Sequence, residues 1–416
     1  MNRHFWVLVH RYAGLYMAFF LLVAGLTGSI MAFEIQIQDW LNPPVKAIPK
    51  GIRLDELTLR DRAQALAPKG LVNRVEFFGG KPDDAYKISM VIPPDTATGK
   101  PEELLELTLN PYTGKEIARE KVVLEDLWPI TRKNFIFFIV ALHYRLALPG
   151  SIGVWLFGVA ALLWTLDCFV GVYLTFPLSK RRLDYDYGAQ PTIQRKSWWS
   201  RWKPSWQVKW RASVFRVNFD LHRAGGLWVW LMLLVLAWSS VGFNLGEQVY
   251  MPVMKTVFNM PDAPYTDLPA LPTPQPEPAM SWRQAHNTGK RLMAEQANTH
   301  GIKVKNEMLL QYAPEKGVFM YAVNSDLDIT DAGGGTALTF DGKTGKFLAL
   351  SLPTGQNAGT TLHNWIFALH TALVWGLPFK IFLCLMGLVI AMLSITGVYI
   401  WLRKHRAVRL KRKVLA

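Results

Sequence analysis

The sequence predicts an integral membrane protein that is α-helical within the bilayer and carries two small α+β modules outside it. Three observations lead to this fold class. Four apolar segments are each long enough to cross about 30 Å of hydrocarbon. Half of the 416 residues are hydrophobic, and the pattern that opens the first apolar segment recurs before the third. The chain is therefore expected to be an internal twofold repeat of one membrane unit.

The four apolar segments are the expected transmembrane helices, and they cover residues 12–33, 152–176, 227–245 and 379–402. A helix needs roughly 20 apolar residues to span a bilayer. The first segment follows Arg3 and begins like a secretion signal. Its apolar run is longer than the usual signal core of about 7–15 residues, so we expect it to remain as a span.

The formal net charge of +15 is concentrated in three short stretches. Residues 1–11, 178–218 and 402–416 together hold 19 Lys and Arg but only two Asp. All three stretches fall on one side of a four-helix topology, and Lys and Arg are enriched in cytoplasmic loops. The charge therefore predicts that both termini and the middle loop are cytoplasmic, and it argues against nucleic acid as a partner.

These features divide the chain into alternating membrane and soluble parts. In order, we predict transmembrane helix 1 within 1–35, a first module at 36–131, an interfacial segment and helix 2 at 132–178, a basic, Trp-rich loop at 179–221, helix 3 at 222–246, a Pro-rich linker and second module at 247–361, an interfacial segment and helix 4 at 362–402, and a basic tail at 403–416. The Trp-rich loop is expected to lie in the anionic headgroup layer, with docking of an electron donor as the alternative.

Both modules are expected to contain a helix, three strands and a Thr-Gly-Lys turn in the same order. The first module has a helical pattern at 54–67, strand patterns at 71–78, 86–92 and 104–109, and a turn at 110–115. In the second, the helix is expected at 281–298, the strands near 304–312, 317–324 and 336–340, and the turn at 341–346. Apolar periodicity and turn residues carry these assignments.

Four histidines occupy matched places in the two halves. His10 and His222 each open an apolar run and are followed directly by arginine. His143 precedes a Gly-Val-Tyr motif by 28 residues, and His370 precedes the same motif by 27. The topology therefore sorts them into two pairs, with His10 and His222 at the cytoplasmic ends of the spans. His143 and His370 fall at the external ends, on short interfacial segments.

Paired histidines at these places predict haem. Imidazole holds haem iron without a covalent link, and a bis-histidine site takes one ring from each of two facing helices. Two pairs predict two haems, one near each face. The sequence contains no Cys-x-x-Cys-His, which excludes covalently attached c-type haem. The alternative is that the histidines only anchor helix ends at the interface.

Four other residues are candidates for supporting roles. Arg11 and Arg223 follow their histidines and either pair with haem propionates or serve as membrane-boundary charges. His363 lies seven residues before His370 but has no partner in the other half. It is a substitute ligand, part of an external substrate site, or a solvent-facing histidine. Asp167, an acid within a span, is either a proton relay or a structural hydrogen-bond acceptor for a neighbouring helix.

The order of these motifs resembles the PepSY-associated transmembrane family. His-Arg-x-x-Gly-Leu at the first and third spans, modules ending in a Thr-Gly turn, and the closing Thr-Gly-Val-Tyr-Ile-Trp-Leu-Arg at 396–403 carry the resemblance. Within that family, the chain is similar to inner-membrane dihaem reductases that release iron from ferric siderophores in the periplasm. The resemblance implies PepSY-like folds in both periplasmic modules, a bacterial inner-membrane location, and b-type haem on His10, His222, His143 and His370.

The residues and the resemblance together predict an oxidoreductase. It would pass electrons from the cytoplasm or the quinol pool to a periplasmic acceptor, expected to be a ferric siderophore. Because haem supplies the redox chemistry, no catalytic side chain is expected. Two alternatives stay open: a non-enzymatic membrane anchor whose modules bind or regulate a partner protein, and a metal or proton transporter that uses His143, His370 and Asp167.

Overall fold

The computed structural model describes residues 2–77, 81–94, 102–122, 127–178, 197–262 and 268–415. Much of the predicted basic loop (179–196), part of the Pro-rich linker (263–267) and the end of the first predicted strand lie outside these ranges. Within them, the α-helices are α1 (Arg3–Met31), α2 (Glu34–Leu41), α3 (Glu56–Leu66), α4 (Phe135–Arg145), α5 (Ile152–Thr175), α6 (Trp198–Trp202), α7 (Val214–Trp228), α8 (Trp230–Asn244), α9 (Met251–Phe258), α10 (Trp282–His300), α11 (Ala358–His370) and α12 (Gly376–Leu415). The strands are β1 (Arg74–Glu76), β2 (Tyr86–Ile92), β3 (Glu103–Leu109), β4 (Glu116–Val122), β5 (Val304–Ala313), β6 (Val318–Ser325), β7 (Thr336–Asp341) and β8 (Phe347–Ser351).

Among the described residues, three helices are long and apolar enough to cross a membrane, namely α1, α5 and the part of α12 up to Leu410. A fourth crossing is present if α7 and α8 count as one bent span. The chain is therefore a multi-pass membrane protein, and four spans result when the bent pair is included.

The third predicted span begins at a sharp bend that the sequence did not predict. Most of the predicted span at 227–245 is helix α8, and α7 meets α8 at Val229 with a bend of 74°. Glycine pairs are among the features that permit sharp bends in helices, and Gly225 and Gly226 lie just before the bend. His222 consequently lies on α7, ahead of the bend, instead of at the start of the apolar helix α8.

Helices α1 and α12 approach each other closely through small residues. A Cβ atom built on Gly25 would lie 2.6 Å from the carbonyl oxygen of Gly387, and one on Gly387 would lie 2.4 Å from that of Gly25. The Ser29 hydroxyl donates a hydrogen bond to the Cys384 carbonyl at 2.8 Å. Such backbone contact is typical of helix pairs in membranes, where small residues give close van der Waals packing. It fixes α1, which carries His10, against α12, whose Leu393 carbonyl accepts a hydrogen bond from His222.

Short helices precede α5 and α12, at the segments expected to be interfacial. Helix α4 ends at Arg145 and is followed by Leu146 and Ala147, which have positive φ angles of 57° and 53°. Helix α11 ends at His370, and Ala372 and Trp375 follow with φ angles of 54° and 55°. Left-handed residues end a helix, so each short helix is set off from the long one after it.

The strands form two antiparallel sheets, in the orders β1-β5-β6-β7-β8 and β2-β3-β4. Strand β1 comes from the first predicted module and pairs with β5 of the second, with Val75 opposite Leu310, so the two modules share one sheet. Strands β4 and β8 were not predicted from the sequence. The β4 sequence, Glu-Ile-Ala-Arg-Glu-Lys-Val, has no apolar face that would mark it as a strand.

One hydrophobic core serves both modules. Leu59 and Leu107 of the first module and Leu310 and Phe340 of the second are all fully buried in the same cluster. Both predicted Thr-Gly-Lys turns are confirmed, between β3 and β4 and between β7 and β8, with glycines at φ angles of 66° and 70°. The modules therefore form a single packed unit on the membrane helices.

Candidate functional site

The structure brings His10 and His222 together as the first histidine pair. His10 lies on α1 and His222 on α7, and their ring centroids are 6.0 Å apart. His143 on α4 and His370 on α11 form the second histidine pair, with centroids 6.3 Å apart. These are the two pairs that repeat matching assigned from the sequence.

The separation of the rings fits one metal ion between each pair. An imidazole nitrogen binds a metal at about 2 Å, and the ring centre lies about 1 Å further away, so two rings on opposite sides of one iron have centroids about 6 Å apart. Both pairs have this separation. The interplanar angles are 59° for the first pair and 83° for the second.

Hydroxyl groups fix the second histidine pair. The Nδ1 atom of His143 lies 3.0 Å from Thr27 Oγ1, and that of His370 lies 2.6 Å from Ser239 Oγ. Both hydroxyls already donate to carbonyl oxygens of their own helices, at 2.7 Å. Each hydroxyl oxygen therefore accepts a hydrogen bond from the imidazole N–H, which places the proton on Nδ1.

The first histidine pair is held by different acceptors. His10 Nδ1 lies 2.9 Å from both carboxylate oxygens of Asp167 on α5. His222 Nδ1 donates to the carbonyl oxygen of Leu393 at 3.0 Å and lies 3.2 Å from Thr396 Oγ1. Asp167 and Leu393 occupy matched positions, four residues before the glycine of each Gly-Val-Tyr motif.

All four histidines thus have Nδ1 engaged, and no hydrogen bond to their Nε2 atoms is found within the described ranges. A histidine that ligates a metal through one ring nitrogen almost always donates the other N–H to a carboxylate, carbonyl or water. The hydrogen bonds on Nδ1 set the tautomer and leave the Nε2 lone pair for a ligand. This is the arrangement that a bis-histidine haem site requires.

The space beside the second histidine pair is a cavity of about 400 Å³, within the usual range for cofactor pockets of about 300–1,000 Å³. His143 and His370 line it, and most of the other lining residues are apolar, including Phe20, Phe157 and Trp164. Asn244 also lines it, and its buried Oδ1 atom has no hydrogen-bond partner. A mainly apolar cavity lined by two histidines fits a flat, largely apolar macrocycle, while Glu34 and Asn244 add polar groups to its wall.

Glycines leave room around the first histidine pair. A Cβ atom on Gly171 would lie 3.8 Å from His10 Cε1, and one on Gly397 would lie 3.2 Å from His222 Cε1. Gly14 lies one helical turn after His10, and a Cβ atom there would meet no heavy atom within 4 Å. These positions keep the surroundings of the rings open, as a planar cofactor needs.

The two pairs lie far apart along the membrane helices. Thr27, which contacts His143, follows His10 by 17 residues on the continuous helix α1. At 1.5 Å per residue, this spacing corresponds to about 25 Å along the helix axis. That distance is close to the hydrocarbon thickness of about 30 Å, so the pairs lie towards opposite ends of the helix bundle.

The two arginines expected to bind propionates differ in their surroundings. Arg223 donates from Nη2 to Asp220 Oδ1 at 2.9 Å and to the Pro204 carbonyl at 2.7 Å, and its buried Nε has no hydrogen-bond partner among the described residues. Asp220 is completely buried and also accepts from Arg216 Nε at 2.9 Å. For Arg11, no hydrogen bond or ion pair is seen in the described part of the chain, so its guanidinium is free to bind an anion.

His363 lies apart from both pairs. Its Nδ1 atom is 3.1 Å from the hydroxyl oxygen of Tyr250, and its ring packs on Phe367 at 4.4 Å between centroids. It does not line the cavity between His143 and His370. The residues of the alternative metal or proton transporter are also separated. Asp167 contacts His10, whereas His143 and His370 form the second histidine pair. The described residues contain no group of three or more His, Cys, Asp or Glu side chains that could hold a metal ion.

Sequence reasoning missed the hydroxyls that hold the histidines. Thr27 and Ser239 each lie 17 residues after the histidine that opens their half, His10 and His222. A residue-by-residue alignment of the two halves therefore places these two hydroxyl residues at matched positions, which is the signal that could have identified them. Thr396 belongs to the closing motif of the sequence, and its proximity to His222 depends on how α7 packs against α12.

The profile of the family described as "PepSY-associated TM region" matches residues 7–404. No curated protein matches the chain. The family match includes all four histidines and both Gly-Val-Tyr motifs. Because it extends over nearly the whole sequence, the protein belongs to the PepSY-associated transmembrane family.

Proposed function

We propose that the protein is a haem b-dependent oxidoreductase that moves electrons across a bacterial inner membrane to a periplasmic acceptor, with a ferric siderophore as substrate. The observation that carries this proposal is the geometry of the four histidines. Two pairs have the ring separation of a bis-histidine site, each Nδ1 is fixed by a hydrogen bond, and the pairs lie about 25 Å apart along the bundle.

His10 and His222 would hold one haem, and His143 and His370 the other. When bound, each haem supplies a one-electron iron couple whose potential depends on its ligands and surroundings. The chain holds the imidazole rings in one tautomer and orientation through Asp167 and neutral hydroxyl and carbonyl groups. The apolar lining around the second histidine pair excludes water and favours retention of the macrocycle.

The distribution of charge supports one orientation of the chain in the membrane. The described basic residues that follow α5, and those in the C-terminal part of α12, belong to stretches rich in Lys and Arg, which favour the cytoplasmic side. In this orientation both termini are cytoplasmic, and the packed unit of sheets lies in the periplasm. The two halves would be copies of one unit, each with a long helix, a soluble module, a short helix that carries a histidine, and a second long helix.

The electron donor would be a cytoplasmic reductant or a quinol, at the first histidine pair. The acceptor assignment rests on the resemblance of the motif order to the dihaem ferric-siderophore reductases. Reduction of Fe(III) to Fe(II) consumes one electron and weakens the hold of an oxygen-rich chelator on iron, since Fe(II) is the softer and less charged ion. Release of the iron would follow without a proton donor or nucleophile from the protein.

Visible spectroscopy and rapid mixing test the proposal. Protein expressed with haem available should show the spectrum of six-coordinate b-type haem, and dithionite-reduced protein should reoxidise when mixed anaerobically with a ferric siderophore. His370→Ala should abolish this reoxidation, whereas His300→Ala, at the exposed end of α10, should not. Reoxidation by oxygen alone would refute the substrate assignment. A colourless but folded protein would refute the oxidoreductase and favour the membrane anchor or regulator.

A further inference from the structure

Asp167 is a buried acid in the apolar helix α5, with 9% of its surface exposed. Both of its carboxylate oxygens lie 2.9 Å from Nδ1 of His10. Its side chain makes no other hydrogen bond in the part of the chain that the structure describes. An acid is costly to bury in a membrane helix unless it has a partner, so His10 is the group that retains it there.

The other three paired histidines have neutral acceptors. His143 and His370 donate to hydroxyl oxygens, and His222 donates to the carbonyl of Leu393. Leu393 is the matched counterpart of Asp167 in the other half of the chain. The two histidine pairs therefore differ by one negative charge placed at hydrogen-bond distance from a ligand ring.

A carboxylate on the distal nitrogen makes an imidazole a more basic ligand. The negative charge also favours the more positive, oxidised state of a metal on the same ring, and it acts strongly because the surroundings have a low dielectric constant. Both effects lower the reduction potential of a metal bound by His10. At the second histidine pair the Nδ1 partners are hydroxyls, and Glu34, which also lines that cavity, makes no hydrogen bond to either ring within the described ranges.

We propose that Asp167 is a positioning residue whose charge sets the haem at the first histidine pair to a lower potential than the haem at the second. Electrons received at the first pair then move downhill to the second pair, on the side of the sheets. This inference rests on the proposed function, and it adds a direction to the electron transfer that the symmetry of the histidines alone does not supply.

The experiment is a spectroelectrochemical titration of the purified, haem-loaded protein. Asp167→Asn keeps an oxygen that accepts from His10 Nδ1 but removes the charge. The potential of one centre should rise, and the equilibrium ratio of electrons between the centres should change about tenfold, which is about 59 mV for a one-electron couple. In a His370→Ala background, which keeps only the first centre, the same rise should appear in the single remaining wave.

Two further variants separate the charge from local disturbance of the helix. Asp167→Glu, which keeps the charge, should retain the low potential even if Asp167→Asn binds haem poorly. Cys168→Ala changes the neighbouring buried residue, which has no hydrogen bond to either histidine pair among the described residues, and should leave both potentials unchanged. Unchanged potentials in Asp167→Asn, or a rise in the second centre only, would overturn the inference while leaving the proposed function intact. Absence of haem from the wild-type protein would overturn both.

Discussion

Replacing Ser239 by alanine tests how strongly the hydrogen bond to His370 supports cofactor binding. Ser239 has no exposed surface, and its Oγ atom lies 2.6 Å from His370 Nδ1. The substitution removes the acceptor and leaves a buried N–H without a partner, which costs about 1–3 kcal/mol. At 1.4 kcal/mol for each factor of ten, haem affinity at the second histidine pair should fall about 5- to 150-fold.

The assay is transfer of haem from the detergent-solubilised protein to an excess of a haem-scavenging apoprotein, followed in the visible spectrum. Ser240→Ala is the matched control, because this adjacent serine lines the same cavity but bonds only to the carbonyl of Leu236 in its own helix, at 2.7 Å. One of the two haems should leave faster in Ser239→Ala, and neither should in Ser240→Ala. Equal haem loss in the two variants would refute the supporting role of Ser239.

Three further predictions concern the stability of the folded chain. Burial alone would raise the pKa of Glu307, but hydrogen bonds from His286 and Lys290 lower it to about 2. The stability that this carboxylate contributes is complete above its unfolded pKa of about 4.5 and is lost as the pH falls towards 2, so hydrogen exchange of the sheets should accelerate in that range and less so in Glu307→Gln. Leu310→Ala, which opens a cavity in the shared core, should cost about 2–5 kcal/mol and weaken protection in strands of both modules. Asp220→Asn should cost about 1.5–3 kcal/mol in thermal unfolding, because two partly exposed arginines lose a charged hydrogen-bond partner.

Exposed counterparts provide the controls for these stability predictions. Ile52→Ala removes a side chain that is 90% exposed, and Asp262→Asn breaks a surface ion pair with Lys255. Each should change stability by no more than about 0.5–1 kcal/mol. If Leu310→Ala loosened only the second module, the single shared core would be an incorrect description. A pH profile of Glu307→Gln identical to that of the wild type would contradict the role of the carboxylate.

The pairing of the histidines was accessible to sequence reasoning because it depends on repeat spacing. His143 and His370 lie at nearly equal distances before the same Gly-Val-Tyr motif, and packing of matched helices then brings matched residues together. The sequence did not show which groups accept the hydrogen bonds from the histidine rings. The sequence marks Asp167 as an unusual acid within an apolar segment, but its contact with His10 depends on the rotation of α5 against α1, which hydropathy does not report.

The structure departs most from the sequence-based predictions where the local sequence pattern does not specify tertiary partners. Apolar composition identified the third span, yet the bend at Val229 depends on how α7 packs against α12. The pattern around Val75 indicated a strand, but only the shared core decides which sheet the strand joins. Arg223 illustrates a missed local signal, since Asp220 lies three residues earlier on the same helix, at the spacing of a helical ion pair.

The ratio of haem to protein tests the central claim most directly. Pyridine haemochromogen absorbance, combined with amino-acid analysis of the same sample, should give two b haems for each chain. His222→Ala and His370→Ala should each reduce the ratio to one, the double variant should contain none, and His300→Ala should retain two. A ratio of one in the wild-type protein, or a ratio of two that survives in His222→Ala, would contradict the assignment of one haem to each histidine pair.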